Sequence, residues 1–312
     1  MRKTGHPGRW LLLCGLVLML FLAISEACAA QPVVVASKID TEGALMGQVI
    51  LLVLGENGIP VTDRTGLGPT NVVRKAILAG EIDIYPEYTG NGFYFFKGTE
   101  ENLWKDPVKA YEKVKALDAE NGIVWLKPAP ANNTWAIAAR KDLAEKEGLK
   151  TLSDLARFMA KGGKVKMAAS EEFTSRPDAL PAFEKAYGFR FTKQQLLVLS
   201  GGNTAQTERA ASIGRDGVNL AMAYGTDGAI AAFGLVVLED DKNVQPVYEP
   251  APIVRKTVLE TYPQIPILLD PVFRSLDLKT LQRLNGQIVV EGQNPAKVAE
   301  AYLREKGFLK KP

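Results

Sequence analysis

Four large aromatic residues stand where an ordinary strand would have to stop. Tyr88 precedes Gly90, Trp135 follows Asn133, Tyr224 precedes Gly225 and Tyr248 precedes Pro250. Ring faces gathered at such corners can hold a quaternary ammonium. That group has no N–H, so hydrogen bonds cannot select it. The negative face of a ring can, at roughly 0.5–2 kcal/mol per desolvated ring. The alternative is four core aromatics with satisfied polar ends, which is the commoner fate of such residues. Lys38 and Arg176 lie near the same corners. In a dry cleft either can hold a carboxylate, arginine in bidentate fashion. The alternative for both is solvent-facing charge.

Other combinations point to less. Glu171-Glu172 and Asp240-Asp241 are adjacent pairs, and adjacent residues on a helix or strand do not face one another. They are expected as solvated surface rather than as acid/base dyads. Gly66-x-Gly68 and Gly201-Gly202 lack the spacing and the lysine of nucleotide-binding loops.

The first thirty residues narrow the chemistry further. Arg2, Lys3 and Arg9 flank an apolar run from Trp10 to Ile24, and Ala27, Cys28, Ala29 and Ala30 follow. This is the layout of a secretory signal peptide over residues 1–30, cleaved after Ala29 or Ala30. As a membrane anchor the run is short of the ~20 residues a span needs. Ser25-Glu26-Ala27 is a poor lead for lipidation at Cys28. Both cysteines, Cys14 and Cys28, and the single histidine, His6, lie in this leader. The mature chain then has no disulfide, no thiolate nucleophile or zinc site, and no histidine base or ligand. No metal and no cofactor are expected. Removing three bases and Glu26 lowers the formal charge from +3 to about +1. No basic block suited to nucleic acid is present.

The positioning elements follow from periodicity. The chain has 312 residues and is 46% hydrophobic, enough for two modest cores. Val33–Ser37 is a buried strand by its β-branched run. Gly43–Gly55 is an apolar helix, Val61–Asp63 a short strand, and Val72–Ala79 a helix for which Thr70 is the expected cap. Ile82–Tyr85 is a strand that Pro86 is expected to stop, since proline has no N–H to give. The order β-α-β-α-β implies a parallel sheet with crossover helices. Residues 106–121 form an amphipathic helix, and a polar corner at Asn132-Asn133-Thr134 leads into a new strand at Trp135. A second unit follows, with strands at Val165–Ser170, Leu196–Leu199 and Val218–Ala223. Its helices are near Ser153–Met159, at Ala179–Tyr187 and at Ala205–Ile213, with Thr204 as the expected cap of the last. Leu235–Glu239 and Val244–Tyr248 are expected strands, and Glu249–Pro252 a rigid connector. Val254–Tyr262, Leu278–Val290 and Pro295–Lys306 are expected to be closing helices.

The two halves echo one another. VVVASKIDTEGAL sits beside VKMAASEEFTSRPDAL, and VVRKAILAGEIDIYPEYTG beside ERAASIGRDGVNLAMAYGTDG. The expected architecture is α/β: two similar lobes around a central ligand cleft. Residues 31–132 open the first lobe, 133–247 form the second, and 248–312 return to the first.

Six stretches together resemble a known family: AGEIDIYPEYTG (Ala79–Gly90), PAPANNTWAIA (Pro128–Ala138), ASEEF-x-x-R-x-DALPAFEKAYGF (Ala169–Phe189), LSGGNTA-x-TE-x-AA (Leu199–Ala211), NLAMAYGTDG (Asn219–Gly228) and VQPVYEPAPIVR (Val244–Arg255). They span nearly all of the mature chain. The sequence resembles substrate-binding proteins of osmoprotectant ABC importers, the glycine betaine/choline group. The resemblance implies a type II periplasmic-binding-protein fold, monomeric and periplasmic, whose lobes close on a quaternary ammonium solute and present it to a membrane permease. It implies that Tyr88, Trp135, Tyr224 and Tyr248 box the trimethylammonium head. It also implies that Lys38 and Arg176, helped by Asn91, take the carboxylate. The chain departs from the family pattern at Trp135, where tyrosine is common, near Asn133, where an acid is common, at Asn91, where threonine is common, and around Ile39–Gly43. No catalytic set is expected. The other readings are a receptor for another small solute, or a secreted enzyme on the same fold.

Overall fold

The computed structural model describes residues 31–200 and 203–310. The expected signal peptide, and Gly201-Gly202 of the expected turn, lie outside the described residues. Among the described residues ten strands fall into two five-stranded sheets. They are β1 (Val33–Lys38), β2 (Val61–Gly68), β3 (Ile84–Tyr88), β4 (Ile123–Trp125), β5 (Trp135–Arg140), β6 (Met167–Ser170), β7 (Leu196–Leu199), β8 (Leu220–Tyr224), β9 (Leu235–Leu238) and β10 (Pro250–Arg255). The first sheet has the order β2-β1-β3-β10-β4 and the second β7-β6-β8-β5-β9. In each, three strands run parallel and a long-range antiparallel strand joins them to the fifth. The sequence echo is therefore an echo of topology, and the molecule is two α/β lobes.

In both sheets the strand order reverses about a central strand: β1 lies between β2 and β3, and β6 between β7 and β8. The crossover helices leave on opposite sides there, which opens a crevice at the strand C-termini. Lys38 and Tyr88 end β1 and β3; Ser170 and Tyr224 end β6 and β8. The helix after β1, Thr41–Glu56, buries Leu45, Met46, Val49, Ile50, Val53 and Leu54, a helical period on one face. Asp40 caps it by accepting from the Gly43 N–H.

Two segments cross between the sheets and bind each other. The Ala129 N–H donates to the Pro250 carbonyl and the Asn133 N–H to the Tyr248 carbonyl, at 2.8 and 2.9 Å. The Tyr248 N–H donates to Asn132 Oδ1 at 2.8 Å, and Thr134 Oγ1 to the Pro246 carbonyl at 3.2 Å. The expected strand Val244–Tyr248 is this crossover and belongs to neither sheet.

Several other expectations are corrected. Pro250–Arg255, expected as connector and helix start, is β10, and only Lys256–Thr261 is helical there. Nor does Pro86 stop β3, which runs on to Tyr88. Register explains both. Pro86 lies opposite Pro252. The Thr89 N–H bonds to the Glu249 carbonyl and the Arg255 N–H to the Asp83 carbonyl. Exchanged hydrogen bonds therefore fall at every second pair, and the proline pair sits at the positions between them. Within the ladder between β3 and β10, neither proline is asked for the donor it lacks. Thr70 and Thr204 are first helical residues rather than caps; Pro69 and Asn203 precede them, and Asn203 caps by accepting from the Ala205 N–H. The helix Ile265–Arg274 was not anticipated.

The helix Leu278–Val289 touches the loop after β8. Gln282 Nε2 donates to the Gly225 carbonyl and Asn285 Nδ2 to the Thr226 carbonyl. Contact is closest at Gly228, where a Cβ would lie 1.8 Å from the Gln282 carbonyl oxygen and 2.5 Å from the Gly286 nitrogen. These are backbone atoms and cannot swing away. Gly228→Ala is therefore expected to destabilise the protein by about 3 kcal/mol, the upper end for overpacking. Urea denaturation measures this; a midpoint equal to the unsubstituted protein would show that the loop and helix separate freely.

Candidate ligand-binding cleft

The C-terminal ends of β1 and β3 face the first turns after β6 and β8 across one cavity. It is lined by Lys38, Ile39, Asp40, Pro69, Thr70, Tyr88, Asn91, Asn133, Trp135, Glu172, Arg176, Tyr224 and Tyr248. All seven residues singled out from the sequence are in that set. Its volume is about 30 Å³, room for about two water molecules. An outer cavity of about 220 Å³ shares Pro69, Glu172 and Arg176 with it and adds Asn71, Tyr94, Glu171 and Ser175.

The cations are held by carboxylates. Lys38 Nζ lies 2.5 Å from Glu87 Oε1. The same oxygen accepts from the Tyr88 N–H and from Asn91 Nδ2, both at 2.7 Å, while Glu87 Oε2 accepts from the Tyr85 hydroxyl at 2.8 Å. Burial alone would raise the Glu87 carboxyl. The Lys38 charge and the hydrogen bonds from Lys38, Asn91 and the Tyr88 N–H outweigh it and hold the pKa below its ordinary 4.5. Arg176 presents Nε and Nη2 to Asp178 at 3.0 and 2.5 Å. Its Nη1 donates to Asn91 Oδ1 at 2.9 Å and to Glu172 Oε1 at 3.0 Å. Four of its five N–H groups are thus engaged, whereas Glu87 accounts for one of the three on Lys38.

The rings are placed with equal economy. Tyr88 is 5% exposed; its hydroxyl donates to Glu42 Oε1 at 3.1 Å, and Lys38 Nζ stands 4.6 Å from its ring centroid. Trp135 packs on Tyr224 with centroids 4.6 Å apart and on Phe173 at 5.1 Å. The Tyr248 hydroxyl reaches Asp178 Oδ2 at 3.3 Å. Gly90 makes room for Tyr248: a Cβ there would meet its ring and the Val247 carbonyl at 2.8 Å. The Arg176 guanidinium lies 4.2 Å from the Tyr94 ring and 5.9 Å from Trp135.

Several functional groups escaped the sequence reading. Glu172, expected as solvated surface, lines the cleft and pairs with Arg176; the first helical turn after β6 aims it inward while Glu171 stays exposed. Asp240 is half-buried and accepts from the Tyr187 hydroxyl and two backbone N–H groups. Asp178 carried a usable signal, an acid two residues from Arg176 across Pro177. Glu42 carried none, because its partners are far away in sequence, and the counter-ion of Glu87, Lys38, is likewise distant although Tyr85, Tyr88 and Asn91 are near it.

The comparisons bear on this geometry. The family model described as the substrate-binding domain of an ABC-type glycine betaine transport system matches residues 31–305. The chain is 57% identical over 297 residues to the glycine betaine-binding protein YehZ of Escherichia coli (strain K12), covering 95% of this chain and 97% of that one. It is 37% identical over 288 residues to a glycine-betaine-binding protein of Pseudomonas aeruginosa, covering 90% and 89%. The solved structure of apo YehZ from Escherichia coli superposes with a TM-score of 0.66 at 58% identity, over 89% of this chain and all of that one.

Glu87→Gln leaves a buried ammonium without its counter-charge and is expected to cost about 3 kcal/mol or more. The sign in pH follows from the depressed pKa. The contribution of Glu87 is complete above its ordinary 4.5 and is lost as pH falls through the lower folded value. Denaturation midpoints measured across acidic pH should thus fall more steeply for the unsubstituted protein than for the variant. Parallel curves would assign the acid sensitivity elsewhere.

Proposed function

The chain belongs to the family of substrate-binding domains of ABC-type glycine betaine transport systems, and on that premise we propose that its cleft holds a quaternary ammonium solute, glycine betaine or a related betaine or choline, for delivery to a membrane permease. One observation carries the reading: two sheets of like topology bring Tyr88, Trp135, Tyr224 and Tyr248 to a single cavity with two buried cations. The methylated nitrogen sits among the ring faces, where attraction is to the quadrupole and no hydrogen bond is required.

The carboxylate of a betaine goes to Lys38, which has donors to spare, with Asn91 beside it. Arg176 contributes charge more than hydrogen bonds, since Asp178, Asn91 and Glu172 hold its fork. A betaine is larger than the about 30 Å³ between the closed jaws, so it enters with the lobes apart and the cleft re-forms around it. That two chains so alike in sequence superpose only in part fits lobes that change their angle. The site acts in the periplasm and as a monomer on this reading. It binds without transforming: the residues from 31 onward contain no histidine and no cysteine, and the buried carboxylates at the cavity are committed to cations, amides and hydroxyls.

Tryptophan fluorescence titration of the processed protein with glycine betaine and with choline tests this. Saturable binding of one or both is expected, and none with either would defeat the reading. Tyr88→Ala and Tyr224→Ala should each weaken binding about tenfold, the worth of one desolvated ring face. Lys38→Ala should weaken glycine betaine far more than choline, which has no carboxylate. Equal losses for the two solutes would remove Lys38 from the carboxylate subsite.

A further inference from the structure

Glu42 lies behind the cavity rather than in its wall, and it is 3% exposed. It sits in the first turn of the helix Thr41–Glu56. Its Oε1 accepts from the Tyr88 hydroxyl at 3.1 Å and from Asn133 Nδ2 at 2.8 Å; its Oε2 accepts from Asn285 Nδ2 at 2.8 Å. Asn133 Nδ2 also reaches Thr226 Oγ1 at 2.6 Å, and Asn285 Nδ2 the Thr226 carbonyl at 3.1 Å. One carboxyl therefore gathers a ring of the first lobe, the crossover, the loop after β8 in the second lobe, and the helix Leu278–Val289.

All of these partners are neutral donors. The charged and titratable groups around Glu42 are few. Asp40 stands on its own helix cap, and Tyr88 faces it from β3. The crossover, the β8 loop and the C-terminal helix present Asn133, Thr226 and Asn285. Asp227, next to Thr226, turns instead to Thr204 Oγ1 and the Tyr224 N–H, with Glu208 beside it. Lys38 Nζ pairs with Glu87, not with Glu42. Asn285 Oδ1 is buried with no hydrogen-bond partner, so the knot holds an acceptor without a donor.

We propose that Glu42 is a positioning residue of the cleft, fixing the Tyr88 ring through its hydroxyl and tying the first lobe to the crossover and to the second lobe. The inference rests on the ligand reading above for its effect on affinity, but the knot itself is a matter of protein atoms. A proton on Glu42 adds a donor to the knot and removes a buried charge that has no counter-ion. Burial accordingly raises the carboxyl from 4.5 to about 7, with Asp40 adding to the rise and Thr226, Asn285 and Asn133 opposing it. Parting the lobes hydrates the group and returns it toward 4.5. Closure then takes up a proton between those two values, and solute affinity falls as pH rises through that window, by at most about tenfold per pH unit, and is level above it.

The experiment compares the processed protein with Glu42→Gln and Glu42→Ala at about pH 5 and about pH 8, limits that bracket the window. Choline is the solute, because it has no acid–base group in that range. The unsubstituted protein should bind more weakly at the higher pH. Glu42→Gln, with the same shape and no proton to lose, should bind with little pH dependence and at least as tightly at the higher pH. Glu42→Ala should bind more weakly at both, since Tyr88 loses its anchor. Asp40 and Asp227 are also raised, so the slope is assigned to Glu42 only as the difference between the protein and Glu42→Gln. Equal slopes in the two would overturn the proposal. If no protein binds choline or glycine betaine, the ligand reading fails. The denaturation arm then decides for Glu42: Glu42→Gln should raise the urea midpoint at about pH 8 and not at about pH 5, and equal shifts at both would overturn it.

Discussion

A buried ion pair, Lys38 with Glu87, is the constraint around which the cleft is built. A lone ammonium or carboxylate at this depth would be expensive to desolvate. Glu87 meets that demand with four donors, from Lys38, Asn91, Tyr85 and the Tyr88 backbone. Those donors come from β1, β3 and the turn after it, so satisfying one carboxylate fixes where both strands end. The ammonium is then parked over the Tyr88 ring. Arg176 repeats the arrangement from the other lobe: Asp178 and Glu172 hold it, and Tyr94 receives its face. Asn91 bridges the two systems, donating to Glu87 and accepting from Arg176. Across the cleft the lobes meet through polar contacts, Arg176 with Asn91 and Asn133 with Glu42 among them.

Topology explains why such contacts arise at all. Each sheet has a point where the strand order reverses, and each puts its polar strand ends there. Because the two sheets share one order, the two crevices are alike and can face each other. The antiparallel strands β5 and β10 are the first elements after the crossovers, so the segments that carry the chain between lobes also deliver Trp135 and Tyr248 to the gap. The crossovers and these two cavity-lining residues are a few peptide units apart.

Much of this was legible in the sequence, for identifiable reasons. Strand ends stopped by glycine or asparagine beside an aromatic are local signals, and they located Tyr88, Trp135 and Tyr224. The parallel β-α-β runs and the internal echo gave the two-lobed α/β architecture. Prolines misled, because the rule against proline in a ladder is a rule about register. Pro86 and Pro252 sit opposite each other where the ladder they share needs no donor from either, a fact fixed by pairing residues far apart in the chain. The polar supports were hidden for the same reason. Glu42 meets Asn133, Thr226 and Asn285 only through the tertiary fold. At its own position it looks like one more acid in a helical first turn.

Glu87 and Glu42 show how burial is resolved in opposite ways within one cleft. Glu87 has a cation and stays ionised, with its pKa depressed; Glu42 has only neutral donors, and its pKa rises to about 7. Acid therefore weakens the first contact and favours the second. Counting charges around the cavity sharpens the point. Lys38 and Arg176 face Glu87, Asp178 and Glu172, with Asp40 beside them. With Glu42 neutral, the carboxylates still outnumber the cations. A solute bringing a fixed positive charge that cannot be lost by deprotonation lowers that excess without disturbing either pair. A solute bringing only a carboxylate would add to that excess. On the proposed reading, selectivity for a permanent cation thus comes as much from the carboxylates that steady Lys38 and Arg176 as from the rings themselves.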